Sequence, residues 1–274
     1  MLRGMLTVLA AIAGAYALLV GGMYGFQRSL VFPASQLRAI PAQMAVPEMG
    51  VVRLRTDDGL DLTAWYYPAP PSRPTILSFH GNGDFLGAHA PFARKLIDAG
   101  YGVMLASYRG YSGNPGAPSE EGLYRDGRAA MDYLESRGAR IVLHGFSLGS
   151  AVAMRLASER PVEGIIVEAP FTGAVDVAAA AYPFVPVRLL MWDRFETLEA
   201  ARSLRVPVMV TYGSRDEVVP HAQFDRLYAA ISAPKIRHVV DGASHNDLWQ
   251  RGGGRGALEF LRRLEAGWED QAPQ

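Results

Sequence analysis

The stretch Ile141-Val142-Leu143-His144-Gly145-Phe146-Ser147-Leu148-Gly149-Ser150 decides how the chain is read. Three apolar, mostly β-branched residues run into Gly-x-Ser-x-Gly, and an alanine-rich helical pattern, Ala151 to Ser158, follows directly. The spacing predicts a strand, a sharp turn and a helix, with a serine at the apex. A turn this tight needs small residues two places before and two after the serine, because side chains there would collide across it. Gly145 and Gly149 stand at those places. The apex lifts the Ser147 hydroxyl out of the sheet, and the new helix aims its free N–H groups and positive dipole end at the same point. Alone, the pattern is a weak signal. Its weight comes from the elements on either side, and from whether the chain supplies a base and an acid.

Outward from this turn the order is regular. On its N-terminal side, Thr75 to Phe79 and Gly102 to Ser107 read as buried strands. Phe85 to Ala99 and Glu120 to Ser136 read as helices, the second with Ser119 as its cap. On its C-terminal side, Gly164 to Val167, Val206 to Tyr212 and Lys235 to Val240 read as strands, with helices at His221 to Ile231 and Ala257 to Ala266. Strands alternating with helices over short loops predict an α/β fold, a mostly parallel central sheet with helices on both faces. Two alternating runs around Asp57-Asp58-Gly59 add a hairpin at the front. Arg251-Gly252-Gly253-Gly254-Arg255-Gly256 reads as a flexible loop before the last helix.

Composition narrows the function. The 274 residues carry 27 Lys+Arg and 27 Asp+Glu, so no global field favours nucleic acid. With no cysteine, disulfides, thiolate catalysis and cysteine-based metal sites are excluded together. Residues 4–27 contain no charge and exceed the about 20 residues that cross a hydrocarbon core, which predicts a transmembrane anchor. Ala15-Tyr16-Ala17 resembles a signal-peptide cleavage site, but the apolar run continues past it, so an uncleaved single-pass anchor is expected. Arg3 and the amino terminus on one side nearly balance Arg28 and Arg38 on the other, so no orientation follows. Residues 28–50, with three prolines, read as a linker, and 51–268 as the single α/β domain.

A serine hydroxyl needs a base to take its proton, and the base needs a third group to orient it. Of six histidines, His80 and His144 precede glycines at strand ends and read as packing around the site. His89, His221 and His238 read as surface or satisfied core residues. His245 follows the strand Lys235 to Val240, at the sheet end where open α/β folds place their sites, and is the expected base. Asp216, just past the strand Val206 to Tyr212, is the expected acid. Glu168 competes for that role; Glu217 and Asp241 are less well placed. The backbone N–H of Leu148 is one oxyanion donor, and the N–H of Asn82, in His80-Gly81-Asn82-Gly83, is the expected second.

The order Ser147, Asp216, His245 is that of the α/β-hydrolases, and the resemblance reaches over nearly the whole chain. The apolar N-terminal segment with Gln27-Arg28-Ser29-Leu30-Val31-Phe32-Pro33 resembles the membrane-anchored BEM46 type, related to the α/β-hydrolase domain-containing proteins 13 and 17. So do His80-Gly81-Asn82-Gly83, Tyr108-Arg109-Gly110-Tyr111, the run Pro118 to Asp126 and Gly145-Phe146-Ser147-Leu148-Gly149. Glu168-Ala169-Pro170-Phe171, Gly213-Ser214-Arg215-Asp216 and His245-Asn246-Asp247 complete the match. Ser107 departs from it, standing where that family usually has aspartate, as does Ser150, where a glycine often follows. The resemblance implies Ser147 as nucleophile, Asp216 as acid and His245 as base, acting on an acyl ester or thioester without metal or organic cofactor. A serine peptidase and a catalytically silent membrane-tethered scaffold are the alternatives. Residues 171–204, rich in Ala, Pro and aromatics, fall where this fold carries a small lid, and their apolar content suits a lipid-like acyl substrate or packing on the core equally.

Overall fold

Each of the apolar runs read as strands above joins one eight-stranded sheet in the computed structural model, which describes residues 1–268. The strands are β1 (Gly50–Arg55), β2 (Asp61–Tyr67), β3 (Thr75–Phe79), β4 (Gly102–Ala106), β5 (Ile141–Phe146), β6 (Gly164–Glu168), β7 (Val208–Gly213) and β8 (Lys235–Val240). Their spatial order is β1-β2-β4-β3-β5-β6-β7-β8. The hairpin pairs antiparallel around Gly59, with Leu54 opposite Leu62. β2 meets β4 antiparallel, and every other pairing is parallel.

Side chains alternate across the parallel strands, which builds two cores. Leu77, Leu143, Ile165, Val167 and Val210 face one way, in one buried cluster. Ile76, Val142, Ile166 and Met209 face the other, among Phe92, Leu96, Phe260 and Leu261. The helices that cover these faces include α3 (Ala90–Asp98), α4 (Glu120–Glu135), α5 (Leu148–Glu159), α9 (His221–Ala230) and α10 (Gly254–Glu265). Ser119 caps α4 as expected, its hydroxyl accepting the Gly122 N–H at 3.1 Å.

Several boundaries differ from expectation. The helix expected over Phe85–Ala99 is α-helical only from Ala90; Leu86–His89 is a 3-10 turn. Pro91 explains this, since it has no N–H to give and so belongs in a first turn. The Arg251–Gly256 segment is not a loop. It closes a π-type turn, Trp249–Gly253, with Gly252 at φ 126°, and opens α10. Residues 28–50 are no free linker either. The apolar helix α1 (Leu2–Gly25) is followed at once by α2 (Gln27–Val31). Beyond it, Phe32, Val46 and Met49 are buried against the domain.

Within 171–204, α6 (Ala174–Ala181) and α7 (Val187–Leu190) form a cap over the sheet end, whereas α8 (Thr197–Ser203) packs between α5 and α9. Ala201 and Leu204 are fully buried in the main core. The lid is therefore shorter than its sequence suggested, ending ahead of α8.

Candidate active site

The strand-to-helix turn after β5 forces Ser147 to φ 49°, a left-handed conformation that costs a β-carbon residue about 1–3 kcal/mol. The surroundings hold it there. Ser147 N–H donates to the Glu168 carbonyl at 2.8 Å, and the Ser147 carbonyl accepts from both Ser150 N–H and Ser150 hydroxyl. The two glycines are steric necessities. A β-carbon on Gly145 would lie 2.2 Å from the Gly149 carbonyl oxygen, and one on Gly149 would lie 2.1 Å from that of Phe79.

The loops after β7 and β8 meet over this apex. They are tied together by Arg215 N–H to the Ala243 carbonyl, 2.9 Å, and by Gly242 N–H to the Ser214 hydroxyl, 2.8 Å. Asp247 closes the second loop by accepting the Ser244 N–H at 2.7 Å. These ties set His245 Nδ1 2.8 Å from Asp216 Oδ2 and His245 Nε2 3.0 Å from Ser147 Oγ. An ionised carboxylate can only accept, so Nδ1 carries the ring proton and Nε2 is free to accept from the serine hydroxyl. Burial raises the Asp216 carboxyl, but the His245 ring and the N–H groups of Val218 and Val219, both 2.9 Å from Oδ1, outweigh it and hold the group below the usual carboxylate range.

Glu168 does not compete at this histidine. Its carboxylate is buried and faces His144, Oε2 to Nε2 being 3.6 Å. His89 lies beside the same pair, His221 packs on Tyr212 and Phe224, and His238 sits on β8 with Nδ1 buried.

Leu148 and Asn82 line the same cavity as Ser147, and among the described residues neither backbone N–H donates to a protein acceptor. The Asn82 side chain is occupied elsewhere: Nδ2 donates to the Val31 carbonyl and Oδ1 accepts from the Tyr111 hydroxyl, both at 2.6 Å. Both side-chain contacts hold the Asn82 residue in place beside the cavity.

His80 braces this loop from below. Its Nδ1 donates to the Gly81 carbonyl at 2.9 Å, so Nε2 accepts from the Ser107 hydroxyl, also at 2.9 Å. Ser107, one of the two departures from the family pattern, is thus linked through His80 to the Gly81 carbonyl. Burial pushes the His80 imidazole down to about 4, and His144 likewise below its ordinary value. An unfolded histidine takes its proton near pH 6.5, so between there and about pH 4 the unfolded chain binds more protons and stability falls as pH falls. Melting temperature should therefore decline more steeply over this window in the wild type than in His80→Gln. Parallel curves would remove His80 as the cause.

Arg109 and Asp126, both from the matching motifs, form a buried pair that fastens the β4 loop to α4. Arg109 Nε and backbone N–H both donate to Asp126, at 2.9 and 2.8 Å, and Nη1 reaches Asp58 in the hairpin turn at 2.7 Å.

The serine opens into a cavity of about 310 Å³. One wall is α6 and α7, and Phe171 and Val219 line the region near Ser147. Part of the lining, missed in the sequence, comes from the end of the apolar N-terminal helix: Val20, Met23 and Tyr24, continued by Gln27. Their i, i+3, i+4, i+7 spacing was visible, but apolar residues facing lipid would read identically.

The family pattern described as serine aminopeptidase, S33, matches residues 70–192. An uncharacterized protein of Mycobacterium tuberculosis is 38% identical over 258 residues, covering 90% of this chain and 92% of that protein. Protein bem46 of Schizosaccharomyces pombe is 31% identical over 249 residues, 83% of each. Among solved structures, the Pyrococcus furiosus esterase Pf2001 superposes with a TM-score of 0.71 at 21% identity, over 85% of this chain and 99% of that one, a likeness of fold. With 31% identity to bem46 over 83% of each chain, an eight-stranded sheet of the matching fold and a Ser–His pair at its carboxyl end, the chain belongs to the BEM46-type α/β-hydrolases.

Proposed function

We propose that the chain is a membrane-anchored serine hydrolase that cleaves an acyl ester or thioester through an acyl-enzyme intermediate. The observation that carries this reading is the Ser147–His245–Asp216 relay, with the serine facing an apolar cavity. His245 Nε2 takes the hydroxyl proton as Ser147 Oγ bonds to the acyl carbon. The carbonyl oxygen, now an anion, accepts from the Leu148 and Asn82 N–H groups. Collapse of this intermediate breaks the bond to the leaving alcohol or thiol, which takes the proton from His245. Water then repeats the sequence, and Ser147 recovers its proton as the free acid departs. In the same reading α1, whose 24 residues are exposed or at most half-buried in the structure, anchors the domain in a membrane.

An aminopeptidase must bind a charged α-amino group, and burying that charge unpaired is costly. Among the described residues no charged side chain lines the cavity. The ester reading is favoured accordingly. Purified full-length protein should hydrolyse 4-nitrophenyl butyrate with a kcat/KM at least about 100-fold above that for an aminoacyl 4-nitroanilide, since an unpaired buried ammonium alone costs several kcal/mol. The reverse order would replace this reading with the peptidase one.

A further inference from the structure

The cavity has a wall that a soluble esterase would not possess. In the whole span Leu2–Gly25 only Val20 and Met23 are half-buried, and both line the cavity that reaches Ser147. The same cavity is lined by Ala174, Val177, Ala178 and Ala181 of α6, which repeat the same i, i+3, i+4, i+7 spacing. Two helical stripes, one from the anchor and one from the lid, thus enclose an apolar channel.

The stripes are fastened together. The Tyr16 hydroxyl donates to the Phe184 carbonyl at 2.6 Å, and Gln27 Oε1 accepts the Trp192 N–H at 2.8 Å. Arg28 Nε binds Asp193 at 3.1 Å, and Tyr24 packs edge-on against Trp192 with ring centroids 5.1 Å apart. The contact at Tyr16 fixes a depth. From Tyr16 to Gly25 the helix rises about 14 Å at roughly 1.5 Å per residue, and the lid lies alongside that length. If the lid stayed in water, only Leu2 to Ala15 would remain to cross the membrane. That is about 21 Å of helix, against a hydrocarbon core of about 30 Å. The helix can span only if the lid tip enters the bilayer beside it. The tip is suited to this: Val177 to Val187 hold no charge and Phe184 among them is 84% exposed, while Arg188, which follows, is paired with Asp176.

We propose that the lid tip is immersed in the bilayer that α1 crosses, and that the substrate is a bilayer-resident lipid ester whose long acyl chain slides between α1 and α6 to reach Ser147 without entering water. This rests on the serine-hydrolase reading above and adds the substrate class and its route.

The test uses full-length protein in phosphatidylcholine vesicles. Met23→Trp narrows the channel from the anchor side, while Leu18→Trp, on the side of α1 away from the lid and 80% exposed, serves as control. The kcat/KM ratio of 4-nitrophenyl palmitate over 4-nitrophenyl butyrate should fall at least about tenfold in Met23→Trp and stay put in Leu18→Trp. An unchanged ratio in Met23→Trp overturns the route. Because the chain has no cysteine, Phe184→Cys can carry a single environment-sensitive dye at an exposed site that leaves packing intact. Blue-shifted emission quenched by brominated lipids is expected; water-like emission overturns the immersion. If the wild type hydrolyses neither ester and its serine fails to react with a fluorophosphonate, the hydrolase reading itself has failed. Butyrate turnover with an unaltered chain-length ratio condemns the channel alone.

Discussion

Ser147→Ala is expected to lower kcat/KM for a short-chain ester by at least about 10⁴-fold, with a melting temperature close to that of the wild type. Among the described residues, no other side chain lining the cavity offers a nucleophile held 3.0 Å from a base as Ser147 is. The methyl group fills the same space as the serine Cβ, so the fold has no reason to respond. His245→Ala should cost a similar factor, and the double variant little more, because nucleophile and base act as a unit. Asp216→Asn should cost about 10³–10⁴-fold. An amide presenting its NH₂ to Nδ1 would favour the wrong ring tautomer and leave Nε2 protonated against the serine. Steady-state kinetics on purified proteins check the series. Retention of more than about 1% of activity by Ser147→Ala would place the nucleophile elsewhere.

Gly149→Ala should be the more disruptive change despite adding one methyl. Its β-carbon would sit 2.1 Å from the Phe79 carbonyl oxygen, which belongs to the middle of the sheet and cannot swing aside as a side-chain tip could. Relief requires α5 to back away from β3, which opens the elbow and carries the Leu148 N–H off its position. Overpacking a rigid core typically costs about 1–3 kcal/mol, and a backbone collision belongs at or above the upper end. At this chain length that corresponds to a fall in melting temperature of roughly 6–12 °C, alongside near-complete loss of ester hydrolysis. Gly14→Ala has open space around its added methyl and should change neither. Equal melting temperatures for Gly149→Ala and wild type would mean the elbow has more room than the 2.1 Å approach to the Phe79 carbonyl allows.

The sheet and the elbow could be read in advance because their residues answer to local rules. β-branched runs alternate with amphipathic stretches, and Gly145 and Gly149 flank the one serine that follows a strand and opens a helix. The choice between Asp216 and Glu168 was less legible. Glu168 ends β6 and Asp216 follows β7 at the same side of the sheet, and only the three-dimensional ties through Ser214 and Ala243 bring Asp216 to His245 while Glu168 turns towards His144. Residues 28–50 looked like a linker because their buried residues, Phe32, Pro41, Val46 and Met49, follow no helical or strand period. Their burial depends on a surface that another part of the chain provides. The shortness of the lid was hidden for a related reason: Ala201 and Leu204 are apolar whether they cap a cavity or fill a core. Val20 and Met23 gave no sign of lining the cavity, since a membrane and an acyl channel select the same side chains.

The most direct measurement is to react full-length protein with a fluorophosphonate and locate the adduct by peptide mass spectrometry. Such probes bond only to a serine whose proton is being drawn off, so labelling reports the Ser147–His245 pair rather than the mere presence of a hydroxyl. The geometry predicts a single adduct on the peptide bearing Ser147 and none in His245→Ala. An adduct on another serine, or none on well-folded protein, would contradict it.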